Sequence, residues 1–243
     1  MNIVLSTCRK YHNLLPGWIT QFRRYYGTDT VHVITDYPLP SGIATAGLVI
    51  HCVPGQAWTG MVNTVITALP DPTLFLFDDY WLTQPVVRPM VDHLAGLVAG
   101  GTVDKGDLGL TTSIYAHTAF AGHPAMVISS PGAQYRSTLQ PAIWSQEAML
   151  RLTSNSNLNP WQAETQPGYW PGIRIAQWAT HDRVMDYANM YLKGAPNMDQ
   201  ICQLTWDDMR YLISLGHADF IPALTVLQYC QCRASGSHVF KGT

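Results

Sequence analysis

Thr73-Leu74-Phe75-Leu76-Phe77-Asp78-Asp79-Tyr80-Trp81 is the stretch on which the fold turns. Its apolar run is continuous rather than alternating, which is the pattern of a strand covered on both faces. It stops abruptly at two carboxylates, and open α/β sheets bind their ligands at the carboxyl ends of strands. Upstream, Pro70-Asp71-Pro72 breaks a helix whose residues Trp58, Met61, Val62, Val65, Ile66 and Leu69 form one apolar stripe. Further back, Gly47 to Val53 reads as a strand, and Pro38, Pro40, Ser41 and Gly42 mark the loop before it. Thr30 to Thr35 is another strand, ending at Asp36. Leu15, Trp18, Ile19, Phe22 and Tyr26 repeat at helical spacing, with Pro16 in the first turn and Gly27 as the stop. Asn2 to Ser6 opens the chain as a strand. Downstream, Val87, Met90, Val91, Leu94 and Val98 give a further amphipathic helix, closed by Gly100-Gly101. Strands alternating with helices predict an α/β architecture in three layers, with a mostly parallel central sheet.

The second half is less regular. Asp107 to Ser113 and Ala125 to Ser129 read as strands, Ser145 caps a helix running to about Leu152, and 155–171 reads as a loop rich in Asn, Pro, Gln and Trp. With no internal repeat and no charge block, the chain reads as one domain over 1–243. Residues 131–243 would build a site onto the sheet formed by 1–130.

Composition narrows the function. The 243 residues are 47% hydrophobic and only 12% charged, with a net charge of −2. A basic field able to hold nucleic acid across the whole domain is therefore excluded, leaving only a local patch. The basic residues Arg9, Lys10, Arg23, Arg24, Arg136, Arg174 and Arg183 are the candidates for one. No apolar run reaches the ~18 residues of a membrane span. The N-terminus lacks the features of a signal peptide, and the five cysteines are an odd number; a cytoplasmic, reducing compartment is expected. Cys230-x-Cys232 has no further soft ligands beside it for zinc. Walker, G-x-S-x-G and G-x-G-x-x-G motifs are absent.

The chemistry concentrates in carboxylates. Asp78 and Asp79 have no adjacent Lys or Arg, and a turn at the strand end would aim both at one crevice. A hard cation, Mg²⁺ or Mn²⁺, would relieve their repulsion and complete its shell from phosphate and water. Alternatively, Asp78 caps a loop and Asp79 is solvated. The chain has only two glutamates. Glu147 falls in the first turn of the Ser145 helix, where the helix dipole explains it. Glu164 lies between Trp161 and Trp170, and a carboxylate in a partly apolar pocket can act as a general base near neutral pH. Asp182 and Asp186 are rivals for that role. Trp58 either meets a base or begins the core stripe of its helix, and Trp144 either presents a sugar platform or staples a helix start.

Four segments in order carry a family resemblance: strand 1 with Thr7-Cys8-Arg9-Lys10-Tyr11, then Leu74 to Trp81, then Tyr135 to Trp144, then Asn159-Pro160-Trp161-Gln162-Ala163-Glu164. Together they resemble small bacterial and viral nucleotide-sugar glycosyltransferases of the GT-A fold, a Rossmann-like single domain, over roughly residues 2–210. Asp-Asp-Tyr departs from the commoner Asp-x-Asp of that family.

The resemblance implies a metal-dependent inverting transfer from a nucleotide-sugar, such as a UDP-sugar, to an acceptor hydroxyl. Asp79 would hold Mn²⁺ or Mg²⁺, either together with Asp78 or alone while Asp78 meets the ribose. Thr7, Arg9, Tyr11 and Trp58 would hold the donor, and Gln140, Trp144 and Trp161 the acceptor. Glu164 would be the base. The acceptor is a glycan by default, or a hydroxymethylated base in viral DNA. Two other classes fit the same residues: a non-catalytic nucleotide-sugar-binding protein and a two-metal phosphohydrolase. The second would need more Asp or His ligands than stand nearby.

Overall fold

The structure, a computed structural model, describes residues 1–109, 117–130, 136–165, 172–179, 183–192, 195–201 and 203–215. Its centre is the pair β1 (Asn2–Ser6) and β4 (Thr73–Phe77), which run parallel with Val4 opposite Phe75 and Leu5 opposite Leu76. Both are apolar on successive residues because both sheet faces are covered. Ile3, Leu5, Leu74 and Leu76 pack on one face against Trp18, Phe22, Val91 and Leu94. These come from α1 (Leu15–Tyr25) and α3 (Arg88–Ala99). Val4 and Phe75 point the other way, onto Met61, Val62, Met149 and Leu152. Those belong to α2 (Trp58–Ile66) and α4 (Gln146–Leu152). Burying a large apolar side chain contributes about 1.5–3 kcal/mol, so β4 is anchored from both sides.

The remaining strands are β2 (Val31–Thr35), β3 (Leu48–Cys52), β6 (Lys105–Asp107), β7 (His117–Ala119), β8 (Met126–Ser129), β9 (Ala142–Trp144) and β10 (Ile175–Trp178). The nine-stranded order is β3-β2-β1-β4-β9-β6-β10-β8-β7. Only β9 and β8 run against the rest, so the large central sheet is mostly parallel and the molecule is an α/β fold with helices on both faces. A short β5 (Tyr80–Leu82) leaves this sheet and pairs antiparallel with β11 (Tyr187–Asn189). No helix of the described structure is long and apolar enough to cross a membrane.

Three expectations change. The strand expected at Asp107–Ser113 begins earlier, at Lys105, and ends at Asp107, with Leu108 and Gly109 already outside it; 110–116 lie outside the described residues. Three residues before the Ser145 helix form β9, inserted antiparallel between β4 and β6. The segment 155–171, expected as a loop, contains α5 (Pro160–Thr165). Its start is a capping box: Gln162 N donates to Asn159 Oδ1 at 2.8 Å, and Asn159 N donates to Gln162 Oε1 at 3.0 Å. The cap expected at Ser145 is present, its Oγ accepting from Ala148 N at 3.2 Å.

Candidate functional site

Where β1 and β4 end, the chain turns twice, and the turns make a cavity of about 460 Å³, within the range of small-molecule sites. The β1 exit supplies Ser6, Thr7, Cys8 and Tyr11, and the β2 exit supplies Asp36. From α2 comes Trp58, preceded by Gln56, and from the β4 exit Phe77, Asp78, Asp79 and Tyr80. Leu139 and, from α5, Pro160, Trp161 and Glu164 close it. Strand ends, two helix starts and the segment before β9 thus converge.

The acid pair lies in the turn between β4 and β5, so strand alternation does not separate the two carboxylates. Asp78 N donates to Ser6 O at 3.3 Å, Trp81 Nε1 donates to Asp78 O at 3.1 Å, and Met190 N donates to Asp79 O at 2.7 Å. The backbone of the turn is therefore pinned to β1, to the β5 core tryptophan and to the end of β11. Asp78 is only 3% exposed, and its Oδ2 accepts the Thr7 hydroxyl. Burial holds both carboxyls above the usual range, with the charge of Asp79 adding to the rise at Asp78. A hard divalent cation fits the acid pair, because it offers carboxylate oxygens and none of the described residues lining the cavity is a Lys or Arg that would balance their charge. Among the described residues, no group of three His, Cys, Asp or Glu gathers to hold a metal. An ion there would take its other ligands from substrate and water.

Glu164 is held differently. Its Oε1 accepts from Leu139 N at 2.5 Å and from Thr138 Oγ1 at 3.3 Å, while Ser137 Oγ donates to its backbone carbonyl at 2.7 Å. Burial pushes the carboxyl up; those two hydrogen bonds and the Lys105 charge pull it back in part.

The other expected residues divide. Thr7, Tyr11, Trp58 and Trp161 line the cavity with the three acids. Trp58 begins the core stripe of α2, stacking on Phe77 at 5.9 Å and donating from Nε1 to Ser6 Oγ at 2.9 Å, and also borders the cavity. Tyr11 meets Tyr191 edge-on at 5.6 Å. Trp161 is 70% exposed at the mouth.

Arg9 does not line the cavity; its guanidinium lies 4.4 Å from the Tyr37 ring centroid, and its backbone N donates to Asp36 Oδ1 at 2.7 Å. Gln140 is set back too, its Oε1 accepting from Tyr187 Oη at 2.6 Å. Trp144 corrects the platform expectation. It is 1% exposed within β9, its ring beneath the Lys105 ammonium, so no acceptor can stack on it. Arg136 is likewise buried, donating to the carbonyls of Ser129, Ser130 and Ile173, and cannot join a surface patch. Of the rival bases, Asp186 accepts from Gln84 Nε2 at 3.1 Å and does not line the cavity, and Asp182 lies outside the described residues. Tyr135, Trp170 and the Cys230–Cys232 pair lie outside them too.

Asp36 and Gln56 were not singled out from the sequence. An acid directly after the second strand of an α/β sheet was the available signal, since such a carboxylate commonly meets a ribose hydroxyl.

No protein-family model matches the chain, and no curated protein matches it. Solved structures do. A cytidylyltransferase from Leptospira borgpetersenii serovar Hardjo-bovis (strain JB197) aligns over 88% of this chain and 94% of its own, at 12% identity and a TM-score of 0.51. A UDP-glucose pyrophosphorylase complexed with UDP-glucose aligns over 88% and 98%, at 7% identity and a TM-score of 0.47. A 4-diphosphocytidyl-2C-methyl-D-erythritol synthase aligns over 76% and 91%, at 15% identity and 0.42. All three are nucleotidyltransferases. The chain shares the Rossmann-like α/β fold of the cytidylyltransferase, and at these identities the likeness defines the fold alone.

Proposed function

We propose that the chain is a metal-dependent inverting glycosyltransferase, moving a sugar from a nucleotide-sugar, a UDP-sugar in the first instance, to an acceptor hydroxyl. One observation carries the reading: Asp78 and Asp79 share a single cavity with Glu164, a third acid held by its own hydrogen bonds from a different element. The strand-end acids suit the diphosphate end of a donor, and Glu164 suits the acceptor. In this reading residues 1–130 supply the nucleotide side, and 131–243 supply Glu164 and Trp161.

Asp79 would hold Mn²⁺ or Mg²⁺ with help from Asp78, and that ion supplies charge neutralisation at the leaving diphosphate. Thr7 holds Asp78 by Oδ2, and the other carboxylate oxygen would be available to the ion or to a ribose hydroxyl. Asp36 accepts from a ribose hydroxyl, Tyr11 and Trp58 flank the nucleoside, and Trp161 offers its exposed face to the acceptor, a glycan by default. Leu139 and Thr138 hold Glu164 by Oε1, and Oε2 takes the acceptor proton as the acceptor oxygen bonds the anomeric carbon. The anomeric C–O bond breaks and its electron pair leaves with the nucleoside diphosphate. Attack opposite the leaving group inverts the anomeric centre.

Nucleotidyl transfer is the second reading, favoured by the shared fold with the cytidylyltransferase. Glu164 weighs against it: a phosphate oxygen attacking a nucleoside triphosphate has no proton to give up, whereas a hydroxyl attacking a nucleotide-sugar needs a base, and Glu164 stands in the cavity with its carboxyl raised by burial.

³¹P NMR of the chain with Mn²⁺ and a panel of nucleotide-sugars, in parallel with nucleoside triphosphates plus sugar phosphates, separates the readings. Release of nucleoside diphosphate from a nucleotide-sugar is expected. Release of pyrophosphate from a triphosphate, with nucleotide-sugars left intact, would overturn it. Thermal stabilisation by donor without any turnover would make the chain a binding protein.

A further inference from the structure

Lys105, on β6, is outside the cavity and 0% exposed. Its Nζ lies 2.6 Å from Asp107 Oδ1 and 4.7 Å from the Trp144 ring centroid. A buried ion pair is weak evidence for stability, because an apolar pair of similar volume is often as good or better. The ammonium has a more specific geometry. It donates to Thr138 O at 3.0 Å and to Arg136 O at 3.4 Å. Those carbonyls flank Ser137, and the same short segment turns its other side to Glu164. Ser137 Oγ donates to the Glu164 carbonyl, and Thr138 Oγ1 and Leu139 N donate to Glu164 Oε1. Arg136 pins the start of the segment through its bonds to the carbonyls of Ser129, Ser130 and Ile173. One four-residue stretch, 136–139, is thus gripped by a buried cation on one side and grips the carboxylate on the other.

We propose that Lys105 is a positioning residue for Glu164, holding residues 136–139 so that the Thr138 hydroxyl and Leu139 amide meet one carboxylate oxygen and leave the other to the cavity. This rests on the reading of Glu164 as the base, but its geometric part does not. The Lys105 charge also acts directly on Glu164, opposing the effect of burial. Of the other titratable groups, Tyr80 and Tyr187 feel the Glu164 charge, Asp36, Asp78 and Asp79 share its cavity, and the charges of Lys105 and Arg136 act on Asp107 behind the segment.

The chain has two glutamates, Glu147 and Glu164, so the full-length protein labelled with ¹³C at the glutamate carboxyl gives two resonances, assigned with Glu164→Gln. Removing Lys105 alone would strand Asp107, so neutral pairs are compared: Lys105→Met with Asp107→Asn, and Lys105→Gln with Asp107→Asn, the second keeping a donor toward Thr138 O. In the Met pair the Glu164 resonance is expected to titrate at a pH higher by about half a unit or more. The acid limb of the activity profile should move with it, kcat should fall about tenfold or more, and KM for the donor should stay within about threefold. The Gln pair should recover part of the lost kcat. An unchanged Glu164 titration with unchanged kcat in a folded Met pair overturns the proposal. Failure of both neutral pairs to fold overturns it as well, by assigning the ion pair to stability. If no nucleotide-sugar is turned over by the natural chain, the glycosyltransferase reading falls, while the resonance shift still decides the role of Lys105.

Discussion

At the residue scale the two kinds of acid in the cavity call for opposite tests. Glu164 is held through one oxygen by an amide and a hydroxyl, and a glutamine can accept the same two hydrogen bonds. Glu164→Gln should therefore fold normally and bind donor as before, while turnover falls about 10²-fold or more because the acceptor proton has no base to receive it. Steady-state kinetics with donor-affinity measurements check this; turnover within about threefold of the natural chain would remove Glu164 from the chemistry. Asp79→Asn keeps size and removes charge. It should abolish both the thermal shift produced by Mn²⁺ and the metal dependence of activity, and a retained shift would move the ion elsewhere. The candidacy of these three acids is legible in the sequence, since an unpaired double carboxylate after a buried strand and a glutamate flanked by tryptophans are both conspicuous, and the structure brings the three to one cavity. Trp144 is not legible in the same way. A tryptophan before a helix reads equally as a platform or a staple, and only the pairing of β9 between β4 and β6 puts it in the core.

At the scale of elements, one contact ties the stability of the first layer to the site. Gly17 of α1 faces the Trp81 ring of β5 so closely that a Cβ there would lie 2.0 Å from Trp81 Cη2. Trp81 is fully buried and its Nε1 donates to Asp78 O. The ring cannot yield without moving the acid turn. Gly17→Ala is expected to destabilise the fold by about 1–3 kcal/mol through overpacking and to weaken Mn²⁺ binding in the same variant. Denaturant unfolding and a metal titration measure the two effects; a folded variant with unaltered stability and metal affinity would show that α1 and β5 adjust independently of the turn. The sequence reading has Gly17 only as one residue of a helix, with nothing to show what it touches. The start of α5 is the converse case. Asn159-Pro160-Trp161-Gln162 spells a capping box with proline at the first helical position, so local chemistry announces a helix that the surrounding loop-like composition obscures.

For the whole molecule, acids and histidines set the pH response with opposite signs. Burial pushes Asp79 from its ordinary 3.8 up to about 7, and raises Asp78 as well. The folded chain therefore holds protons that the unfolded chain has released. The stability linked to Asp79 is present below pH 3.8 and is lost as pH rises through about 7, and that linked to Asp78 is lost in the same direction as pH rises through its own raised folded value. Burial lowers His12, His32 and His51 from 6.5, so their contribution is present above pH 6.5 and is lost as pH falls through their lower folded values. A divalent ion held by this pair, as proposed, would bind the ionised carboxylates and displace their protons. The rise in melting temperature on adding Mn²⁺ should accordingly grow between about pH 6 and about pH 8. Thermal-shift curves at the two pH values check this, and an equal or smaller shift at the higher pH would show that the pair does not bind the ion.

Sequence alone determined the α/β alternation of the first hundred residues, because periodicity reports burial directly: Leu74 to Phe77 must be covered twice, and the α2 stripe from Trp58 to Leu69 must face a core. It also placed the adjacent carboxylates Asp78 and Asp79 at a strand end, since two such groups have no place inside a layer. The tertiary structure decided which residues share the cavity. Asp36, Gln56 and Leu139 reach it, while Arg9, Gln140 and Trp144 do not, because membership depends on how β2, α2 and the segment before β9 are laid beside the β4 exit. Lys105 belongs to the same class. A lone lysine in the sequence reads as solvated, and its burial against Asp107 and the 136–138 carbonyls follows from strand pairing between β6 and β9, a contact between segments far apart along the chain that no local pattern encodes.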